Sequence, residues 1–137
     1  MASLTGRTAL ITGSTSGIGL GFAHALAAEG ASVMINGFGD AAAIAAEVEA
    51  LRAKSGAGAA HSPADMTRPD EIRAMVVDCT AQFGAPDILI NNAGIQHVAP
   101  VDEFPEEKWD AIIAIILSSA FHATKAALPG MKAKGWG

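Results

Sequence analysis

The residues best placed to do chemistry lie in one short stretch, TGSTSGIG at residues 12–19. Its glycines, Gly13, Gly17 and Gly19, follow an apolar β-branched segment and precede a helical one. In that setting each has a task. Gly13 allows a tight exit from a strand, Gly17 lets a pyrophosphate approach the backbone, and Gly19 lets the helix pack close to the sheet. A helix N-terminus offers unpaired N–H groups and a positive dipole end to phosphate, and Ser14, Thr15 and Ser16 add hydroxyl donors. A glycine-rich turn alone is as easily a surface turn; the strand–turn–helix context is what points to a dinucleotide. Other reactive side chains are sparse. His24, His61, His97 and His122 show no metal-ligand spacing, so no metal is expected. Cys79 stands alone, excludes an internal disulfide, and reads as a buried helix position rather than a reactive thiol. The chain has no tyrosine, which removes one class of catalytic base altogether.

The elements that must hold this turn follow from patterning. Residues 8–12 (TALIT), 32–36 (SVMIN) and 87–91 (DILIN) are apolar runs that read as buried strands, with a weaker strand at 59–63. Helices are expected at 22–29, closed by Gly30, at 41–54, capped by Asp40 and stopped by Gly56, and at 68–82. From Pro105 a long helix runs towards Met131, with Pro129 as a late bend and Gly135 as its cap. Residues 111–117 of that helix are apolar on nearly every side, so a second surface beyond the sheet is expected to cover them. Strands that are apolar throughout and alternate with helices give an α/β doubly wound parallel sheet of Rossmann type, in one domain spanning 1–137.

Composition narrows the function. Half of the 137 residues are hydrophobic and 17% are charged, which excludes a disordered chain. A net charge of −5 with no basic face argues against nucleic acid. The longest uninterrupted apolar runs fall short of a membrane span, and nothing resembles a signal peptide, so a cytoplasmic protein that engages no membrane is expected.

The Gly-x-x-x-Gly-x-Gly spacing of residues 12–19, together with NNAG at 91–94 directly after the fourth strand, resembles the short-chain dehydrogenase/reductase family. The resemblance implies that Ile18 contacts the pyrophosphate, that Asp65 and Met66 flank the adenine, and that Asn91, Ala93 and Gly94 lie beside the cofactor ribose. Read without it, a helix-capping or solvated acid is the lesser alternative for Asp65. A 2′-phosphate needs a nearby cation, and neither 14–16 nor 36–39 supplies one. Asn36 stands where an acid usually reads the ribose hydroxyls and can still hydrogen-bond them, and Phe38 can lie against the adenosine. The cofactor expected is therefore NAD rather than NADP.

Within the family, residues 36–40 (NGFGD), 94–100 (GIQHVAP) and 109–137 resemble the D-3-hydroxybutyrate dehydrogenases. That likeness implies oxidation of (R)-3-hydroxybutyrate to acetoacetate, a homotetrameric full-length form, and Gln96 as a ligand of the substrate carboxylate. Read alone, Gln96 is a polar loop residue, and His97 a structural one. Family chemistry uses a tyrosinate base, a lysine that lowers its pKa from about 10, a serine on the substrate oxygen, and an asparagine in the long helix that anchors a water. The resemblance places the serine and Tyr-x-x-x-Lys beyond Gly137 and sets Ile116 at the asparagine position. The expectation is a domain incomplete at its C-terminal end, truncated after the fourth strand and the long helix, with no catalytic residue and no activity alone. A non-catalytic NAD-binding module and an NADPH-dependent 3-oxoacyl carrier reductase are the competing readings.

Overall fold

In β1 (Thr8–Ile11) every residue is buried, because the strand is covered on both faces. Ala9 and Ile11 pack with Val33, Ile35, Ala23, Ala27 and Leu51 on one side. Leu10 packs with Met34, Ile72, Met75 and Cys79 on the other. The period-two alternation of a strand thus feeds two apolar cores, and the unbroken apolar run from Ala9 to Ile11 satisfies both. The computed structural model describes residues 3–137. Its sheet adds β2 (Ser32–Asn36), β3 (Ala59–Ser62) and β4 (Ile88–Ile90), all parallel in the order β3-β2-β1-β4. Leu10 sits in register with Met34 on one side and Leu89 on the other.

Chain order moves outward from β1 to β3 and then returns to the opposite side of β1. That reversal leaves a crevice at the carboxyl ends of β1 and β4, where open α/β sheets bind ligands. The glycine turn leaves β1 and NNAG leaves β4, so both open onto it.

The first-face helices are α1 (Gly17–Ala28) and α2 (Ala41–Ser55). Helix α1 begins five residues earlier than patterning indicates, inside the glycine turn. Glycine carries an intrinsic cost of about 1 kcal/mol in a helix, so propensity conceals a start that close packing against the turn makes favourable. Asp40 caps α2 by accepting the Ala43 N–H at 2.9 Å, and Gly56 closes it at φ 63°. The opposite face holds α3 (Pro69–Phe83), whose first turn carries Asp70 and Glu71 at the positive dipole end. It also holds α4 (Glu106–Ile112), a π-helical segment (Ile113–Ser118) and α5 (Ser119–Lys134), which follow one another as a single long helix. Pro129 lies inside α5 without ending it, and Gly135 closes it in the left-handed conformation.

The long helix is more apolar as a whole than its uninterrupted runs indicate. By length and composition Glu106–Lys134 would suffice to cross a membrane, which uninterrupted runs do not reveal because scattered lysines and serines break them. Ser119, Ala123 and Ala127 are buried against the rest of the chain, while Trp109, Leu117 and Phe121 stand exposed. Burial lifts the Cys79 thiol to a pKa of about 12, with Lys134 opposing weakly, and so removes its nucleophilic form at neutral pH.

The foot of the sheet is closed by a buried carboxylate. Asp87 is 1% exposed and receives the Thr8 N–H at 2.8 Å, Lys134 Nζ at 3.0 Å and Arg7 Nη1 at 3.2 Å. Arg7 also stacks 3.8 Å from the centre of the Trp136 ring. Burial pushes the Asp87 pKa up, but the Thr8 N–H and the two cations outweigh it and hold it below the ordinary carboxylate value. Because the folded value is depressed, this stability is fully present above about pH 4 and is lost as pH falls through the folded value. Asp87→Ala is expected to destabilise the chain by about 2–3 kcal/mol, less than a fully buried pair because both cations are part-exposed and rehydrate. Thermal unfolding across pH 2–7 checks this: the acid-side fall in Tm should be shallower in the variant, and an equal slope would exclude Asp87 as its source.

Candidate functional site

Two strand ends meet at the crevice and are zipped together. The Thr12 hydroxyl oxygen accepts the N–H groups of Asn92 (3.1 Å) and Ala93 (3.0 Å). In return Asn92 Nδ2 donates to the carbonyls of Thr12 (3.1 Å) and Gly13 (2.8 Å). Contact is so close that a Cβ on Gly13 would stand 2.7 Å from Ala93 Cα, and Gly13 also has φ +58°. A Cβ on Gly19 would lie 2.5 Å from both the Gly13 carbonyl and Asn92 Nδ2. Gly17, at φ +59°, has nothing within 4 Å of a Cβ and faces open space. The three glycines therefore act differently: two admit protein and one leaves room above the turn.

The hydroxyls divide in the same way. Ser14 is fully buried, donates to the Ile11 carbonyl at 2.6 Å and accepts the Asn36 N–H at 2.9 Å. Its side chain holds the turn and does not reach the crevice. Thr15 donates to the Phe38 carbonyl at 3.1 Å and ties down the loop after β2. Ser16 is exposed at the N-cap of α1 and makes no side-chain cap. Among the described residues, nothing accepts the backbone N–H groups of Thr15, Ser16, Gly17, Ile18 or Gly19. A row of free donors thus heads the helix.

Asn36 does not present its amide to the crevice. Oδ1 accepts the Gly13 N–H at 3.0 Å, and Nδ2 donates to the carbonyls of Ser62 (3.2 Å) and Ala64 (3.0 Å). Both of its donors are spent inside the protein, where one N–H and two carbonyls of the backbone converge on a fully buried side chain. After β2, Gly37 and Phe38 line the groove beside the buried Asn36 at its floor, with Phe38 69% exposed.

Asp65 and Met66 form the far wall. The Asp65 carboxylate accepts the Thr67 N–H (2.9 Å) and hydroxyl (2.7 Å), which hold its pKa below the ordinary value. This is the local capping geometry that the residue type also allows. The Met66 N–H meets no acceptor among the described residues. On the near wall lie Ala93, Gly94, Ile95 and Gln96, with Ile115 from the π-helical segment. The Ser119 hydroxyl donates to the Ile115 carbonyl and braces that segment. Ile116 comes against Gly94, 3.6–3.7 Å from where a Cβ would stand, and is half-exposed.

These walls enclose a groove of about 590 Å³. Of the residues singled out in the sequence, Gly13, Ser16, Gly17, Ile18, Gly19, Asn36, Phe38, Asp65, Met66, Ala93, Gly94 and Gln96 line it. Ser14 and Thr15 lie behind it. Asn91 turns away, exposed, with Nδ2 donating to Thr124 Oγ1 at 3.3 Å. Gly37, Asn92 and Ile95 also line the groove and belong to the NGFGD, NNAG and GIQHVAP stretches, whereas Ala64 and Ile115 line it without a motif to mark them.

The short chain dehydrogenase profile matches residues 7–137. The chain belongs to that family. It is an oxidoreductase family that uses nicotinamide cofactors. Over 134 residues the chain is 58% identical to a D-beta-hydroxybutyrate dehydrogenase of Cupriavidus necator, a match covering 98% of the chain and 51% of that protein. A second D-beta-hydroxybutyrate dehydrogenase, from Rhizobium meliloti, is 50% identical over 131 residues, covering 96% of the chain and 51% of that protein. The crystal structure of L-sorbose reductase from Gluconobacter frateurii, complexed with NADPH and L-sorbose, superposes with a TM-score of 0.90 at 32% identity, covering 98% of the chain and 51% of that structure. The chain spans about half the length of the curated relatives it matches.

The glycine geometry orders the effects of substitution. Gly13→Ala meets backbone at 2.7 Å and adds left-handed strain, so it should cost about 3 kcal/mol or more. Gly17→Ala adds only the left-handed strain, about 1–2 kcal/mol. Equilibrium urea unfolding of the two variants checks this, and equal losses would mean that the contact with Ala93 is not tight in solution.

Proposed function

We propose that this chain forms the NAD-binding part of an enzyme that oxidises (R)-3-hydroxybutyrate to acetoacetate. One observation carries the cofactor half of that reading: five consecutive free N–H groups head α1 over a groove whose lining contains no lysine or arginine. The free N–H row fits a pyrophosphate. The Met66 N–H and the Phe38 ring fit an adenine at the other end. The one charged group in the lining is the Asp65 carboxylate, ionised at neutral pH, and it disfavours a 2′-phosphate. NAD, when bound, supplies the hydride acceptor. Gln96, exposed in the groove wall, is the ligand for the substrate carboxylate, to which a neutral amide donates two hydrogen bonds without adding charge. Identity of 58% and 50% to two D-beta-hydroxybutyrate dehydrogenases supports this substrate over others.

These 137 residues contain no tyrosine to act as the family's base, so hydride transfer by them alone is not expected. Ile116 stands in for the asparagine that anchors the relay water, and its branched alkyl group against Gly94 offers neither donor nor acceptor. The protein is cytoplasmic, engages neither nucleic acid nor membrane, and assembles as a homotetramer when complete, with the exposed face of the long helix covered by subunits. The NADPH bound in L-sorbose reductase keeps an NADPH-dependent reductase as the second reading.

Calorimetry separates them. The 137-residue chain is expected to bind NAD about tenfold or more tightly than NADP, a gap of about 1.4 kcal/mol. Tighter NADP binding would reverse the cofactor assignment, and binding of neither would remove the dinucleotide reading. In a chain completed with the serine and Tyr-x-x-x-Lys, Ile116→Asn should raise kcat with D-3-hydroxybutyrate by about tenfold or more. An unchanged kcat would show that the relay does not pass this position.

A further inference from the structure

The two walls of the groove come from segments distant in sequence, and one side chain touches both. Asn36, at the end of β2, accepts the N–H of Gly13 from the phosphate turn at 3.0 Å. Its two amide hydrogens go to the carbonyls of Ser62 and Ala64, on the segment that leads into Asp65 and Met66. Its backbone adds a reciprocal pair with Ser14: the Ser14 N–H donates to the Asn36 carbonyl at 2.6 Å, and the Asn36 N–H donates to Ser14 Oγ at 2.9 Å. No part of this residue is exposed.

From this geometry we infer that Asn36 is a positioning residue, a strut that sets the distance between the phosphate turn and the adenine wall without touching the cofactor. The inference rests on the dinucleotide reading of the groove and gives one residue a defined task within it. Residue type follows from the partners. The site presents one N–H and two carbonyls, and an asparagine amide supplies one acceptor and two donors in a rigid plane. A carboxylate would meet Gly13 equally well but would set negative charge against two carbonyl oxygens in a buried place. An acid, the residue suited to reading ribose hydroxyls after β2, is therefore unsuited to this position. The ribose is left to the backbone of Gly37 and Phe38, which the Thr15 hydroxyl clamps from the phosphate side.

Two variants test the strut. In the ligand-free 137-residue chain, Asn36→Ala should speed amide exchange at Gly13 and at Ala64 and Asp65 together. Asn36→Asp should speed it at Ala64 and Asp65 while Gly13 stays protected, and this second variant serves if the first does not fold. Unchanged exchange at either wall in Asn36→Ala, or a loss confined to Gly13 in Asn36→Asp, would overturn the inference. These readouts need no cofactor, so failure of the unaltered chain to bind NAD would sink the proposed function and leave the strut to be decided by exchange. Where NAD binds, Asn36→Asp should weaken it about tenfold or more at temperatures far below its Tm. The same factor is expected for the analogue of NAD that lacks the adenosine 2′-hydroxyl. A penalty that vanishes with this analogue would mean that Asn36 reads the ribose directly. A lowered Tm with unchanged affinity would reduce its role to stability alone.

Discussion

The contact between the ends of β1 and β4 is the constraint on which the rest of the molecule depends. Gly13 lies against Ala93 with no room for a Cβ, and four hydrogen bonds join Thr12 and Gly13 to Asn92 and Ala93 across the gap. Two parallel strands whose connections leave in opposite directions would otherwise splay at this point and expose backbone groups. Here those groups satisfy one another, so the crevice walls are fixed to each other. The free N–H groups at the head of α1 gain their value from this rigidity, since donors held in place need no reorganisation when an anion arrives.

The same economy of polar groups recurs around the crevice. Ser14, Asn36, Thr12 and Asn92 all look like ligand-binding residues by type, yet each spends its side chain on the protein's own backbone. What remains open is almost entirely backbone: the N–H groups from Thr15 to Gly19 and that of Met66. Recognition built this way depends on shape and on the path of the chain. It explains how a groove lined by few charged side chains can still be selective, and why the absence of a cation carries so much weight in the cofactor assignment.

Away from the crevice the structure is held by more familiar means. Two apolar cores cover the sheet, and Asp87 gathers Arg7, Thr8 and Lys134 at its foot, joining the first strand, the fourth strand and the end of the long helix. The long helix is fixed along Ser119, Ala123 and Ala127 and open elsewhere. Its π-helical segment lies where Ile115 enters the groove wall, consistent with such segments occurring where a helix must redirect a side chain at a functional site.

Strand positions, the parallel doubly wound class, the caps at Asp40 and Gly56, and the two glycine-bearing motifs were all legible in the residues themselves. They rest on local physics: alternation feeding two cores, a carboxylate on a free N–H, a glycine where φ is positive. Lost to local reading were the early start of α1, which propensity hides, and the true apolar length of the long helix, which scattered polar residues interrupt. Most of the motif positions do line the groove, but which way a side chain faces depends on what the fold brings against it. Asn36 turns inward, where β3 and the glycine turn bring one N–H and two carbonyls against its amide, whereas Asn91 is exposed and donates to Thr124 while its neighbour Asn92 meets Thr12 and Gly13. Residue types and spacing determined that a dinucleotide-type crevice would form. Only tertiary packing decided which polar groups would be left free to use it, because a buried donor or acceptor goes to the nearest partner in space, however distant in sequence.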